Sequence, residues 1–481
     1  MHSRPAAPVT EPVCRIAWKI SICRSRIDAL QPITFGNTLA LIAHWLQASS
    51  LPYCRRHQSQ GMGEMSKHVA VIGGGVIGLA TAWALVSSGQ RVTLIEGGAS
   101  IGEETSYANG GQLSYRYVSP LADAGVPLKA LAWMLQGASA PLRFRPRLDP
   151  AQWRWCLAFL RACRSSVNRR NGEHLLRLSL FSQTVLGRWR EDDGLDGFAW
   201  RRNGKLVIYR DEQGFKAATD KLHGEGPQAL DPAGCLALEP ALAAVVDKLA
   251  GGIFSDTDEA ADCYLFCLML EQRLLASGRY ERLQQRVEGF VPTGTRISAL
   301  KLADGQAFSA DDYVLATGNA SSGLAAQLGI HLPLYPLKGY SLTLPFSGGA
   351  GVPETSVTDF DNKVVYARLG EQFRVAAMVD IGARDAHIDP ARISALRGLC
   401  EATFPLAGDY AGARAWAGLR PATPEGPPIL GASPFRNFWL NTGHGSLGFT
   451  LASACGQILA DLVAGRPSPI DLQGLTLSGM N

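Results

Sequence analysis

Chemistry in this 481-residue chain is concentrated in glycines, one arginine and a few short polar runs. His68-Val69-Ala70-Val71-Ile72 is a short apolar run that predicts a buried parallel strand. It leads into Gly73-Gly74-Gly75-Val76-Ile77-Gly78, a GxGxxG. In such a turn Gly73 permits the tight bend, Gly75 lets backbone approach a pyrophosphate, and Gly78 lets helix and strand pack closely. Leu79 to Val86, with small Ala80, Ala82 and Ala84, predict a helix that Ser88-Gly89 ends. The start of that helix offers free N–H groups and roughly half a positive charge to phosphates. Arg91 to Ile95 form the second strand, and Glu96 follows it. Its distance from Gly73 is close to the ~20 residues expected of an acid that binds a ribose hydroxyl. An acid there disfavours a 2′-phosphate and so argues against NADP. A lone GxGxxG is a weak signal, but strand, glycines, helix, second strand and acid all occur in order. They predict a dinucleotide site, without separating FAD from NAD.

Three further runs carry chemistry. Arg420 precedes the Pro421–Pro428 turn. A guanidinium is a planar, bidentate fork that would fix a substrate carboxylate. It would serve equally well to brace that turn through an internal ion pair, and the residues alone leave both open. Asn437–Asn441 predict a strand and Thr450–Ala464 a helix. The link Thr442-Gly443-His444-Gly445-Ser446-Leu447-Gly448 has glycine at three of seven positions, so backbone N–H groups come close to a flat ring. Asp312 to Ala316 predict another strand, followed by Thr317-Gly318. Asp256, Asp258, Glu259 and Asp262 lack the spacing and glycine of a calcium loop. We expect a solvated acidic turn there and no metal site. No nucleophile elbow or Ser/His/Asp signature occurs.

The run Glu104-Thr105-Ser106-Tyr107-Ala108-Asn109-Gly110-Gly111-Gln112-Leu113-Ser114 resembles the loop after the second strand in flavoproteins of the D-amino-acid oxidase family. More closely, it resembles the family's bacterial D-amino-acid dehydrogenase branch (small subunit type). Four more stretches follow in family order: Gly125–Met134, Tyr335–Thr343, Trp416–Gly426 and Trp439–Thr450. The resemblance spans Lys67 to Asp471. Departures are mild: Gly97-Gly98 stands where charged residues are expected, and Gly111 where alanine is commoner. The resemblance implies FAD as cofactor, held by Val71, Ile72, Gly73 to Gly78, Glu96, Thr105, Ser106, Asn109, Gly110, Val287, Ala316, Thr317, Gly318 and Gly443 to Gly448. It implies that Arg420 pairs with the substrate carboxylate, and it places Lys338, Tyr335 and Tyr340 near flavin or substrate. Reduced flavin is anionic along one edge. Clustered N–H donors around Gly443–Gly448 would stabilise that charge.

These sites need an α/β scaffold. We expect a Rossmann-like FAD-binding domain, discontinuous in sequence, over 67–119, 238–325 and 411–471. A substrate domain on a mainly antiparallel sheet is expected over 120–237 and 326–410, with a tail over 472–481. The segment 1–66 stands apart. Its first 61 residues hold seven Lys/Arg against two acids, leaving the rest near neutral, which argues against a nucleic-acid binder. We read it as a mis-assigned start, with Met62 or Met65 the true one, or as a targeting segment. No run of ~18 consecutive apolar residues marks a membrane span. Ala151–Arg161, rich in Trp and Leu with basic flanks, is either a core helix or one lying in a membrane interface. Ten scattered cysteines suit a reducing compartment without disulfides.

The expected activity is FAD-dependent oxidative deamination of D-amino acids, with electrons passed to a respiratory quinone or electron-transfer acceptor. The expected location is cytoplasmic, peripheral on the inner face of the cytoplasmic membrane. An oxidase of sarcosine, glycine or another secondary amine would use the same arginine. An NAD-dependent dehydrogenase and a non-catalytic FAD-binding electron carrier are rivals of other classes.

Overall fold

The computed structural model describes residues 66–477, apart from 128–129, 131–132, 134–136, 223–225 and 347. The expected N-terminal extension, Ser66 aside, lies outside the described residues, as does the tail beyond Leu477. So does part of the run Gly125–Met134.

Val69, Val71 and Ile72 are β-branched and bounded by glycine, and they sit in the strand His68–Ile72. That strand lies inside a six-stranded sheet, in the order Ile429–Ala432, Phe438–Thr442, Asp312–Leu315, His68–Ile72, Arg91–Glu96, Tyr280–Gln284. All neighbours run parallel except the first pair. Alternate residues serve opposite faces. Val69 and Val71 pack into a core shared with the helices Val76–Ser87, Ser165–Glu191, Cys263–Ala276 and Gly448–Val463. Ala70 and Ile72 pack against a three-stranded sheet of Val287–Thr293, Arg296–Leu302 and Ala307–Phe308. The expected Rossmann-like α/β layer is therefore present. The first helix ends as its sequence predicts, with Gly89 at φ +93° and its N–H on the Val86 carbonyl at 3.0 Å.

The second layer is a nine-stranded, mainly antiparallel sheet. Its site-bearing end pairs Arg414–Ala422 with Tyr335–Pro345, and Tyr335–Pro345 with Gln372–Ile381. Helix Pro390–Thr403 closes its far face. Two strands from stretches expected in the cofactor domain, Gly251–Ser255 and Arg414–Ala422, run in this sheet. Ladder pairing over Tyr335–Thr343 holds Arg414–Ala422 there, whatever its sequence neighbours.

The acidic run is not a solvated turn. Only Asp256 is exposed. Asp258 accepts the Tyr115 N–H, Glu259 accepts from Tyr115 Oη and Trp200 Nε1, and Asp262 caps helix Cys263–Ala276 while pairing with Arg374. Asp258, Glu259 and Asp262 are thus engaged within the structure. The segment Gly445–Val463 is long and apolar enough to cross a membrane, yet 67% of its most apolar 18 residues are buried within the protein. Gly456 lies so close to helix Val76–Ser87 that a Cβ would fall 2.5 Å from the Ala80 carbonyl oxygen, as in a core packing contact. Helix Pro150–Ala162, capped by Asp149, has two faces. It buries Gln152, Trp155, Phe159 and Ala162 while Trp153, Leu157 and Leu160 stay exposed.

Candidate active site

Val71 and Ile72 are buried in the central strand and deliver the chain into the glycine turn. Gly73 has φ +110°, and a Cβ on it would lie 2.5 Å from the Ala316 carbonyl oxygen. At Gly78 a Cβ would lie 1.8 Å from the Gly73 carbonyl oxygen. Gly75 differs, since the one atom near its imagined Cβ is Ser106 Oγ at 3.5 Å. Gly73 and Gly78 are thus glycines because protein fills the space, and Gly75 is one facing open space. Gly75 and Ile77 are also the accessible positions of this otherwise buried turn. Gly75 is the N-cap of helix Val76–Ser87 and caps it with no side chain, and Val76 N–H donates to Ser106 Oγ at 3.0 Å.

Glu96 stands beside this turn. Its two carboxylate oxygens accept from the N–H groups of Gly74 and Gly98, each at 2.6 Å. A Cβ on Gly98 would lie 3.1 Å from Glu96 Oε1, a tight contact with the carboxylate it binds. Val287 is buried in the next layer, and neighbouring Arg286 packs on Gly97. On the other side of the turn, Ala316 extends the third strand, its N–H on the Ile72 carbonyl at 2.9 Å. Thr317 Oγ1 meets Ser321 Oγ at 3.0 Å, and Gly318, at φ +54°, approaches the Pro421 ring. Contacts thus run from Glu96 through Gly74, Gly73, Ala316 and Gly318 to the strand that carries Arg420.

Three loops converge on that strand. Thr105 Oγ1 and Asn319 Nδ2 both donate to the Leu419 carbonyl at 2.7 Å. Ala422 bridges to His444 as an isolated antiparallel pair. Within the first loop, Asn109 Oδ1 accepts from Gly111 N–H, and Gly110 lies against Val365 and Ala376 of the large sheet. In the third, Gly443 has φ +84° and Gly445 φ +54°, Leu447 N–H bonds back to the His444 carbonyl, and Gly448 opens the last helix beside Ile77. Gly445 to Gly448 remain accessible, with Ser446 exposed.

Arg420 lies flat on the sheet. A Cβ built on Gly339, in the neighbouring strand, would fall 2.2 Å from its Nη2 and 2.4 Å from its Cζ. Its Nη1 donates to the Met378 carbonyl at 3.1 Å. Met378 sits at a register shift opposite Gly339 and has φ +67°, strained for a residue with a side chain. Among the described residues Arg420 joins no salt bridge. Burial pulls its guanidinium down to about 10, which Asp380 partly opposes, so it stays cationic at neutral pH.

Lys338 and Tyr340 are not brought to this face. Directly paired residues share a face, and Leu337 pairs with Arg420, Gly339 with Gly418. Lys338 and Tyr340 therefore point the other way. Tyr340 Oη donates to Asp380 Oδ2 at 2.9 Å within the core under helix Pro390–Thr403. Burial and Asp380 raise its phenol. Lys338 Nζ reaches Asp385 at 3.4 Å. Tyr335 Oη is buried without a partner among the described residues. Residues not singled out from sequence are Gly339, Met378, Asn319 and a buried hub of Asp380, Arg143 and Arg392. Asn319 follows the Thr317-Gly318 pair directly and was within reach. Nothing in the sequence marks the register shift at Met378.

The residues present fit FAD: an accessible glycine turn, a helix start without a side chain on its N-cap, and loops with buried polar atoms that have no partner among the described residues. Asn319 Oδ1 and His444 Nε2 are such atoms. Burial holds His444 down to about 3, so the folded imidazole is neutral. An unfolded chain takes up that proton below about pH 6.5. Its contribution to stability is therefore full above pH 6.5 and falls toward pH 3, by at most about 1.4 kcal/mol per pH unit. His444→Gln should flatten the fall of Tm between pH 6.5 and 4.5. An unchanged slope would show that other groups carry it.

Comparison with known proteins agrees with this geometry. A D-amino acid dehydrogenase 2 of Pseudomonas aeruginosa is 54% identical over 417 residues, covering 86% of this chain and 99% of that protein. A D-amino acid dehydrogenase of Paramagnetospirillum magneticum is 42% identical over 413 residues, covering 85% and 97%. Among solved structures, glycine oxidase from Geobacillus kaustophilus superposes with a TM-score of 0.65 at 22% identity, covering 86% of this chain and 99% of that one. At that identity the likeness speaks for the fold. Residues 68–462 match the family described as DAO, FAD dependent oxidoreductase. The chain therefore belongs to the DAO family of FAD-dependent oxidoreductases.

Proposed function

We propose that this protein oxidatively deaminates D-amino acids, D-alanine among them, to 2-oxo acids and ammonia. The carrying observation is Arg420, a part-buried cation without an acidic partner among the described residues, where three cofactor loops meet. Such a cation awaits an anion, and a carboxylate fits its fork. When bound, FAD would supply the hydride acceptor for Cα–H of a substrate with a neutral amine; the iminium left behind, on losing a proton and taking up water, gives the 2-oxo acid and ammonia. The chain binds and orients: Arg420 fixes the carboxylate, and accessible backbone at Gly445–Gly448 faces the developing negative charge. Neutral His444 adds no positive charge there. The turn Gly73–Gly78 with Thr105, Ser106, Thr317 and Gly318 would hold FAD, with Glu96 and Val287 toward its nucleoside end. We assign Lys338 and Tyr340 to the sheet beneath the site. We keep the division into cofactor and substrate domains, with strands Gly251–Ser255 and Arg414–Ala422 of the cofactor stretches lent to the substrate sheet. The names of the 54% and 42% identical relatives support the substrate class.

The test is anaerobic addition of D-alanine, then L-alanine, to the purified yellow protein. Bleaching of the flavin band by the D-isomer alone is expected. A band that neither isomer touches would sink the D-alanine assignment and turn attention to sarcosine, glycine and D-proline.

A respiratory quinone is the proposed acceptor, reached from the inner face of the cytoplasmic membrane. Helix Pro150–Ala162 supports this contact. Trp153, Leu157 and Leu160, spaced for one face, stay 45%, 55% and 52% exposed, flanked by exposed Arg154, Arg161 and Arg164. Trp153→Glu with Leu157→Glu should abolish co-sedimentation with anionic vesicles while turnover with a dye acceptor is unchanged. Equal sedimentation of the variant would end the proposal for this helix.

A further inference from the structure

Gly339 and Gly418 face each other directly across two antiparallel strands, and both are buried. Neither has positive φ, so the backbone does not call for glycine at either position. What calls for it is space. A Cβ on Gly418 would fall 2.1 Å from the Trp416 ring, and one on Gly339 would fall 2.2, 2.4 and 2.5 Å from Nη2, Cζ and Nη1 of Arg420. Two flat side chains on one face of the strand Arg414–Ala422 thus recline on a floor of glycine. Elsewhere on a sheet, side chains stand away from the strand.

We propose that Gly339 is a positioning residue: it lets the Arg420 guanidinium lie flat, and the Met378 carbonyl at 3.1 Å fixes its rotation, so the free edge of the fork meets the substrate carboxylate. The inference rests on the carboxylate role of Arg420. An upright guanidinium would put its donors in space that the amino acid must occupy. A planar group held by its face and one nitrogen presents its remaining donors in a single plane. That fixes carboxylate orientation and, with it, which substituent on Cα faces the cofactor.

The test is Gly339→Ala in the holoenzyme, alone and combined with Arg420→Lys. The methyl must displace the guanidinium by an ångström or more, a misplacement that costs on the order of 100-fold in kcat/KM. The loss should lie mainly in KM for D-alanine and in the affinity for propionate, a competing carboxylate read from the flavin band. The flavin spectrum itself should not change. In the Arg420→Lys background, where no fork lies on the floor, Gly339→Ala should add no more than about a twofold loss. An equal loss in both backgrounds, or no change in KM with Arg420 in place, would overturn the proposal. If Gly339→Ala alone yields no FAD-bound fold, the double variant should recover it; failure of both would overturn the proposal too. A normal KM in Arg420→Lys and Arg420→Ala would instead remove the carboxylate role beneath it.

Discussion

Arg420→Ala should lower kcat/KM for D-alanine by roughly 1000-fold while FAD stays bound. Two charge-assisted hydrogen bonds to the substrate carboxylate, at about 2 kcal/mol each, are lost together. At 1.4 kcal/mol per tenfold, that sum gives about three decades. Stability should not fall with activity. The side chain makes one hydrogen bond within the protein, to the Met378 carbonyl, and burial penalises its charge. Removing a part-buried cation with no acidic partner among the described residues relieves a desolvation cost. The Tm of the variant should equal or exceed that of the parent. Arg420→Lys should recover only part of the activity, because an ammonium lacks the fork. Steady-state kinetics with D-alanine and a dye acceptor provide the check, and an unaltered KM in Arg420→Ala would remove the arginine from substrate binding.

The second large effect is expected at the opposite side of the cofactor path. Gly73→Ala should give a colourless protein. At φ +110° an alanine is strained, at about 1–3 kcal/mol. Its methyl would also press on the Ala316 carbonyl oxygen, 2.5 Å away, at a further cost of about 1–3 kcal/mol. The loop can escape only by separating the glycine turn from the third strand, and that spoils the surface on which phosphates would rest. FAD affinity should fall at least about 100-fold, since 1.4 kcal/mol is a factor of ten. Titration of the colourless protein with FAD, followed by flavin fluorescence quenching, measures it. Full colour on purification would show that the turn tolerates a side chain.

Much of this was legible in the sequence because the decisive demands fall on short, contiguous pieces of backbone. A strand, a glycine turn and a helix start are local, so Gly73, Gly75, Gly78 and Glu96 could be placed by spacing. The family-like runs located Thr105, Thr317, Gly318 and Gly443 to Gly448 for the same reason. The face of a strand residue was harder to read. Lys338, Tyr340 and Arg420 look like neighbours, and ladder pairing makes them so in the sheet. A one-residue parity difference then sends Tyr340 down to Asp380 and leaves Arg420 above. The bulge at Met378 has no sequence signature, since a positive φ at methionine is imposed by the ladder around it. The acids Asp258, Glu259 and Asp262 misled for a related reason. Their partners, Tyr115, Trp200 and Arg374, are distant in sequence.

The Leu419 carbonyl accepts from Thr105 and from Asn319, each at 2.7 Å, and so ties two loops of the proposed cofactor site to the strand that carries Arg420. This joint uses an atom that every amino acid possesses. Residue 419 can therefore drift from leucine to any strand-compatible residue while the joint survives. A column of homologous sequences would record such drift as indifference. Importance here attaches to an address in the chain and not to the identity of its occupant, and insertion or deletion, which moves the address, is the change that selection must resist.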